Sequence, residues 1–218
     1  MSLARTDARR SRRFTLSFTA LCAAAVASGG LVGLAARASD YGPRPAHWIG
    51  ALGAPWLLIA FLNGTLARHR RDAALAGAFA IVSGVVAYYL SMWLIEHHTV
   101  VDYAAAMIVG WSLAGVVVGM PFGLAGWHAR FGSERSASLA MAVLVAALTA
   151  EAAYGLLVWQ NRYAQAIAVL EISAAAVIAI GSGRTLRVTA FAAPLTVALL
   201  FCELTVTTLM RGMGWAGA

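Results

Sequence analysis

Seven runs of about 20 apolar residues, each bounded by charge, follow one another along this chain, and about 20 residues is the length at which an α-helix crosses bilayer hydrocarbon. They cover residues 14–36, 48–67, 73–95, 104–127, 138–160, 165–182 and 188–211. Lipid offers no partner to a backbone N–H or C=O, so a spanning segment satisfies these groups within itself as a helix or joins a closed barrel. The runs are continuous in Ala, Leu, Val and Gly, without the in–out alternation of barrel strands, which selects helices. With 61% hydrophobic and 11% charged residues, a water-soluble fold of 218 residues has no means of covering this apolar surface. The expectation is an all-α, polytopic integral membrane bundle of seven transmembrane helices, or six if the sixth run, the shortest, fails to cross.

All sixteen basic residues are arginines, and the chain contains no lysine. Arginine gathers on the cytoplasmic side of membrane proteins. An N-terminus in the cytoplasm puts twelve on that side: Arg5, Arg9, Arg10, Arg12, Arg13, Arg68, Arg70, Arg71, Arg130, Arg135, Arg184 and Arg187. Arg37, Arg44, Arg162 and Arg211 fall on the other, so the N-in arrangement is favoured at every loop. The chain divides into an Arg-rich cytoplasmic segment 1–13, a single transmembrane domain 14–211 and a short tail 212–218. The Ser11-Arg12-Arg13-Phe14 stretch loosely imitates a twin-arginine signal, but the apolar run behind it is too long for a signal core, and the first helix is expected to be retained. The partners expected on these grounds are the lipid bilayer, anionic headgroups at the cytoplasmic arginine loops, and a membrane subunit or second copy of the chain. No nucleic acid is expected. Cys22 and Cys202 lie at different depths in apolar runs and are read as packing residues.

An ionisable side chain inside a membrane span is costly and is a functional hypothesis by default. Glu151, Glu171 and Glu203 are of this kind, in the fifth, sixth and seventh runs, all toward the outer face. Thr196, Glu203 and Thr207 fall on one helical stripe, Glu151 shares a face with Tyr154, and Tyr89, Trp93 and Glu96 repeat the four-then-three spacing. Together they suggest an outward-opening pocket with aromatic walls, in which Glu151, Glu171, Glu203, Tyr89, Trp93, Tyr154 and Thr207 contact a solute. The competing interpretation is protonated carboxyls acting as interhelical glue, with an ordinary interfacial belt of aromatics.

Glu96, His97, His98 and Asp102 cluster around a short turn and are candidate metal ligands by residue type. Adjacent histidines diverge on a helix, however, which favours a solvated loop; His47 would complete a site only if the fold brings it near. Gly115, Gly119 and Gly123 form a small-residue ridge around Pro121, suited to close helix packing within the chain and also compatible with dimerisation or a hinge. Ala23 and Ala27 offer a weaker face of the same kind. No cofactor is expected. Retinal requires a lysine for its Schiff base, and haem between helices requires histidines within the bilayer, whereas the histidines here fall at helix ends or in loops. No phosphate-binding loop, HExxH or Gly-x-Ser-x-Gly pattern occurs. Asn63-Gly64-Thr65 matches a glycosylation sequon at the cytoplasmic end of a run, where the match is accidental.

Several stretches resemble a family of bacterial multi-pass membrane proteins known only as a domain of unknown function. They are the run from Trp56 to Ala67 into Arg68-His69-Arg70-Arg71-Asp72, then Ala87-Tyr88-Tyr89-Leu90, then Gly119-Met120-Pro121-Phe122-Gly123, with Glu151 and Glu171 beyond. The resemblance implies a bacterial plasma (inner) membrane location and carries no activity. A more distant likeness is to the substrate-binding membrane subunits of energy-coupling-factor transporters, which have six spans. Transport or solute binding through a carboxylate-lined pocket is the leading expectation. A non-catalytic assembly subunit is the alternative, and a metal-dependent membrane enzyme ranks behind both.

Overall fold

A computed structural model of the protein describes residues 15–42, 52–96 and 101–212, without the side chains of 96, 101–104 and 210–212. Among the described residues every regular element is helical: α1 (Phe18–Asp40), α2 (Ala54–Leu66), α3 (Arg70–Glu96), α4 (Val101–Phe131), α5 (Glu134–Val158), α6 (Arg162–Gly181) and α7 (Thr185–Gly212). Six are long and apolar enough to cross a membrane. The exception is α2, with 13 residues, or about 20 Å at 1.5 Å per residue, against about 30 Å of hydrocarbon. The short element is therefore the second run and not the sixth, since α6 keeps 20 helical residues. Leu52 and Gly53 lie outside the helix within the expected second span, and Pro55 sits in its first turn, where a missing N–H costs nothing.

Local sequence sets several of the helix starts. Ser17 and Ser133 turn their hydroxyls back to the amides of Ala20 and Ser136. At α6 the same role falls to Asn161, whose side-chain oxygen accepts from the amides of Tyr163 and Ala164. Between α6 and α7 the chain turns at Gly183, whose φ of +65° is in the left-handed region that glycine adopts without strain.

Two groups of helices result. α3 runs along both α1 and α4, with α2 packed into the same group, while α6 and α7 each pack on α5 and barely touch each other. The short α2 touches α1, α3, α4 and α5 and so links the two groups. Close packing in the first group depends on missing side chains. A Cβ on Gly77 or Gly119 would run into the other helix's backbone, and one on Gly123 into the Ala73 carbonyl of α3. Gly64 of α2 lies directly on Gly123, and Gly115 faces Ile81. The Gly115, Gly119 and Gly123 ridge is thus occupied within the chain, and α4 continues as a helix through Pro121.

On α1 the small-residue face differs from the expected one. Ala23 and Ala27 are exposed, whereas Leu21, Ala25, Gly29, Gly33 and Ala36 are buried. Gly29 and Gly33 rest on the backbone of Ala80 and Gly84 of α3. Both stripes have four-residue spacing, and only the neighbouring helix selects between them. Asn63 of the sequon is buried, donating to the Ser28 hydroxyl at 2.9 Å and the Ile59 carbonyl at 2.9 Å.

Candidate functional site

A helix that begins inside an apolar layer must place its first amides somewhere, since these have no partner within the helix. At α2 all four are accounted for. The Gly53 and Ala54 N–H groups donate to the two carboxylate oxygens of Glu151, the second at 2.6 Å. Pro55 has no N–H, and Trp56 donates to the Gly53 carbonyl at 3.0 Å. The cap comes from α5, about 100 residues away in sequence. At the other end of α2, the Arg130 guanidinium donates to the Thr65 carbonyl at 2.8 Å and the Leu16 amide to the Leu66 carbonyl at 3.0 Å. An anion at its N-terminus and a cation at its C-terminus both complement the helix dipole. The short helix is held at each end by a charge from another helix.

Glu151 does not stand alone. Glu171 and Glu203 lie close enough to it for the charges of the three carboxyls to act on one another. Counting 1.5 Å per residue from the 158, 162 and 212 ends of their helices, all three lie about 10–14 Å in. Glu171 interrupts an alanine stripe, Ala164, Ala168, Glu171, Ala175 and Ala179, that forms the buried face of α6. It is 4% exposed, and neither of its oxygens receives a hydrogen bond from a donor. Among the described residues no basic side chain pairs with any of the three.

The seam between α5 and α7 is polar on both sides of this cluster. The Thr149 and Thr196 hydroxyls are 2.7 Å apart, and the Tyr154 hydroxyl donates to Thr207 at 3.2 Å. Glu151 and Glu203 lie between these two rungs along the paired helices. The stripe of Thr196, Glu203 and Thr207 therefore faces α5, and Tyr154 joins the seam.

The aromatic residues of α3 lie elsewhere. Tyr89 lines a half-open cavity of about 390 Å³ between α2, α3 and α4, with Gly53, Trp56, Tyr88 and Trp111 among its walls. Trp93 is exposed at the end of α3 and lines neither that cavity nor the carboxylate cluster. The aromatic and acidic residues expected in one pocket are thus apart, Tyr89 in a cavity and the carboxylates in a neighbouring side-chain cluster, and the two meet at the backbone of Gly53. His47, His97 and His98 lie outside the described residues, as do the side chains of Glu96 and Asp102. Among the described residues no group of three or more His, Cys, Asp or Glu has the geometry to hold a metal ion.

Sequence reasoning missed one network. Arg37, at 8% exposure, pairs with Asp40 at 2.8 Å and donates to the Tyr41 hydroxyl at 2.9 Å, while the Tyr88 hydroxyl donates to Asp40 at 2.6 Å. The i, i+3 and i+4 spacing of Arg37, Asp40 and Tyr41 was the available signal; the cross-link to Tyr88 had none. A model of a family described as a family of unknown function, DUF6518, matches residues 10–212. No curated protein and no solved structure matches the chain, so the likeness to energy-coupling-factor subunits is without support.

Proposed function

The chain belongs to DUF6518, a family of unknown function, and from its own geometry, with six described helices long and apolar enough to cross a membrane, we propose a small transporter or solute-binding membrane protein whose carboxylate cluster carries an exchangeable proton. The observation that carries this reading is Glu171, buried and without a donor, close enough to a second carboxyl for the two charges to interact. Two carboxylates cannot share such a site as anions, because each unpaired charge in a low-dielectric interior costs several kcal/mol, on the order of the whole stability of a domain. A proton between them, or a cation, removes that cost. Carboxyls that serve only as glue donate to a hydroxyl or carbonyl of a neighbouring helix. Glu171 instead lies near another acid, in a cluster that abuts the start of the short helix α2, and transporters likewise use helix ends within the membrane at their binding sites. With the N-terminus in the cytoplasm, as the arginines favour, the cluster lies toward the outer leaflet of a bacterial plasma membrane.

The test is proton flux in proteoliposomes loaded with a pH-sensitive dye and challenged with a panel of organic cations, amino acids and sugars. At least one solute is expected to move protons with the wild-type chain and not with Glu171→Gln, although both reconstitute equally. Flux no greater than in empty liposomes for the whole panel, or equal flux with Glu171→Gln, removes the reading.

A second reading, a non-catalytic assembly subunit, draws on α7, which packs almost entirely on α5 and leaves Val197, Phe201, Val206 and Leu209 exposed. A stoichiometric partner retained through native purification favours it, and a lone chain that moves protons opposes it.

A further inference from the structure

The transport reading leaves open what the protein carries, and the aromatic compartment beside the acids bears on this. Its volume, about 390 Å³, is within the range of sites for small organic molecules. Four of its residues, Trp56, Tyr88, Tyr89 and Trp111, are aromatic, and among the described residues no basic side chain lines it. The Tyr88 and Tyr89 rings stand at 78° to each other with centroids 5.0 Å apart, so they form a corner and not a stack. An aromatic ring has a negative face and a positive edge, so a ring face turned to the cavity attracts an organic cation too large or too alkylated to be hydrogen-bonded. Arg37, whose guanidinium carbon lies 5.7 Å from the Tyr88 ring centroid, is paired with Asp40.

We propose that this cavity binds a lipophilic organic cation, one apolar enough to pack against Trp56, Tyr88, Tyr89 and Trp111. Its location gives such a ligand a route to the carboxylates. Gly53 is at once a wall of the cavity and a donor to Glu151, so a ligand that displaces the start of α2 also disturbs the cap. A positive ligand on one side of Gly53 and a proton among the acids on the other offset the same negative charge, so occupancy by one weakens retention of the other. This coupling rests on the transport reading; the binding site does not.

The experiment is equilibrium binding of radiolabelled tetraphenylphosphonium to the purified full chain in detergent, with tetraphenylarsonium as a cationic competitor and triphenylmethanol as a neutral one. Saturable binding is expected, displaced by the arsonium at concentrations at least about tenfold below those needed of the alcohol, as the desolvated cation–π range implies. Two variants locate it. Trp111→Leu removes an exposed wall and is expected to weaken binding about tenfold. Ala114→Trp fills the cavity from a position that faces outward and so leaves the core intact; it is expected to abolish binding while the protein elutes as a single species. Equal displacement by the neutral alcohol, or unchanged binding in Ala114→Trp, overturns the proposal. Saturable cation binding without proton flux leaves this site standing and removes the transport reading.

Discussion

Replacing Glu151 with alanine withdraws both oxygens that hold the start of α2, and its effect can be worked from the geometry. Two amides, Gly53 and Ala54, lose a charged acceptor. Each such bond is worth about 1.5–3 kcal/mol net, and the loss of an anion at a helix N-terminus adds about 0.3–1 kcal/mol. Gly53 retains some access to solvent, so the lower end of that range applies and the local cost is about 3 kcal/mol. At about 1.4 kcal/mol per factor of ten, hydrogen exchange at Gly53 and Ala54 should accelerate about 100-fold. Glu151→Gln keeps one carbonyl acceptor without the charge and should show about a tenfold acceleration. Global melting is the wrong assay, because removing Glu151 also relieves its repulsion of Glu171 and Glu203 and the two effects oppose each other. Exchange measured by mass spectrometry in detergent separates them, with α1 as an internal control. Protection at Gly53 and Ala54 within about twofold of wild type in Glu151→Ala would refute the capping argument, since that is well below the cost of one unsatisfied amide.

Glycine substitutions on two helices should differ in sign. Gly123→Ala puts a methyl group against the Ala73 carbonyl and Gly77, forcing α3 and α4 apart, and should cost about 1–3 kcal/mol, read as a lower unfolding midpoint in detergent. Gly30→Ala, on α1 with open space around its Cβ position, should hold or raise the stability read from that midpoint by up to about 1 kcal/mol through helix propensity; an equal loss for both would show that packing is not the cause. Arg37→Ala removes the guanidinium that pairs with Asp40 and should cost about 2–3 kcal/mol, below the about 3–5 kcal/mol of a fully buried broken pair because both side chains keep some exposure. The Arg37→Ala/Asp40→Ala double variant should recover part of that loss in the same melt, and a fully additive double variant would contradict a direct pairing.

The helices were legible from sequence because lipid leaves the backbone no alternative, and about 1.5 Å per residue turns run length into depth. The same ruler places Glu151, Glu171 and Glu203 at one level, and the helical period puts Thr196, Glu203 and Thr207 on the stripe that faces α5. The relation between acids and aromatics was not legible. Tyr89 and Trp93 share a face of α3 by periodicity, yet only Tyr89 borders a cavity, because exposure at the end of α3 depends on where α2 and α4 stop. Ala23 and Ala27 were as good a stripe as Gly29 and Gly33 until α3 selected between them.

What the sequence alone determined is a set of membrane helices, their arginine asymmetry and the depth of their acids, all properties of one segment in one solvent. The tertiary structure decided that α2 stops short, that Glu151 from α5 caps it, and that Glu171 is left facing another acid without a donor. The physical reason is that a backbone amide or a buried charge is indifferent to which residue satisfies it. Any carboxylate within about 3 Å serves, and only the packing of α2 against α5 determines that it is Glu151.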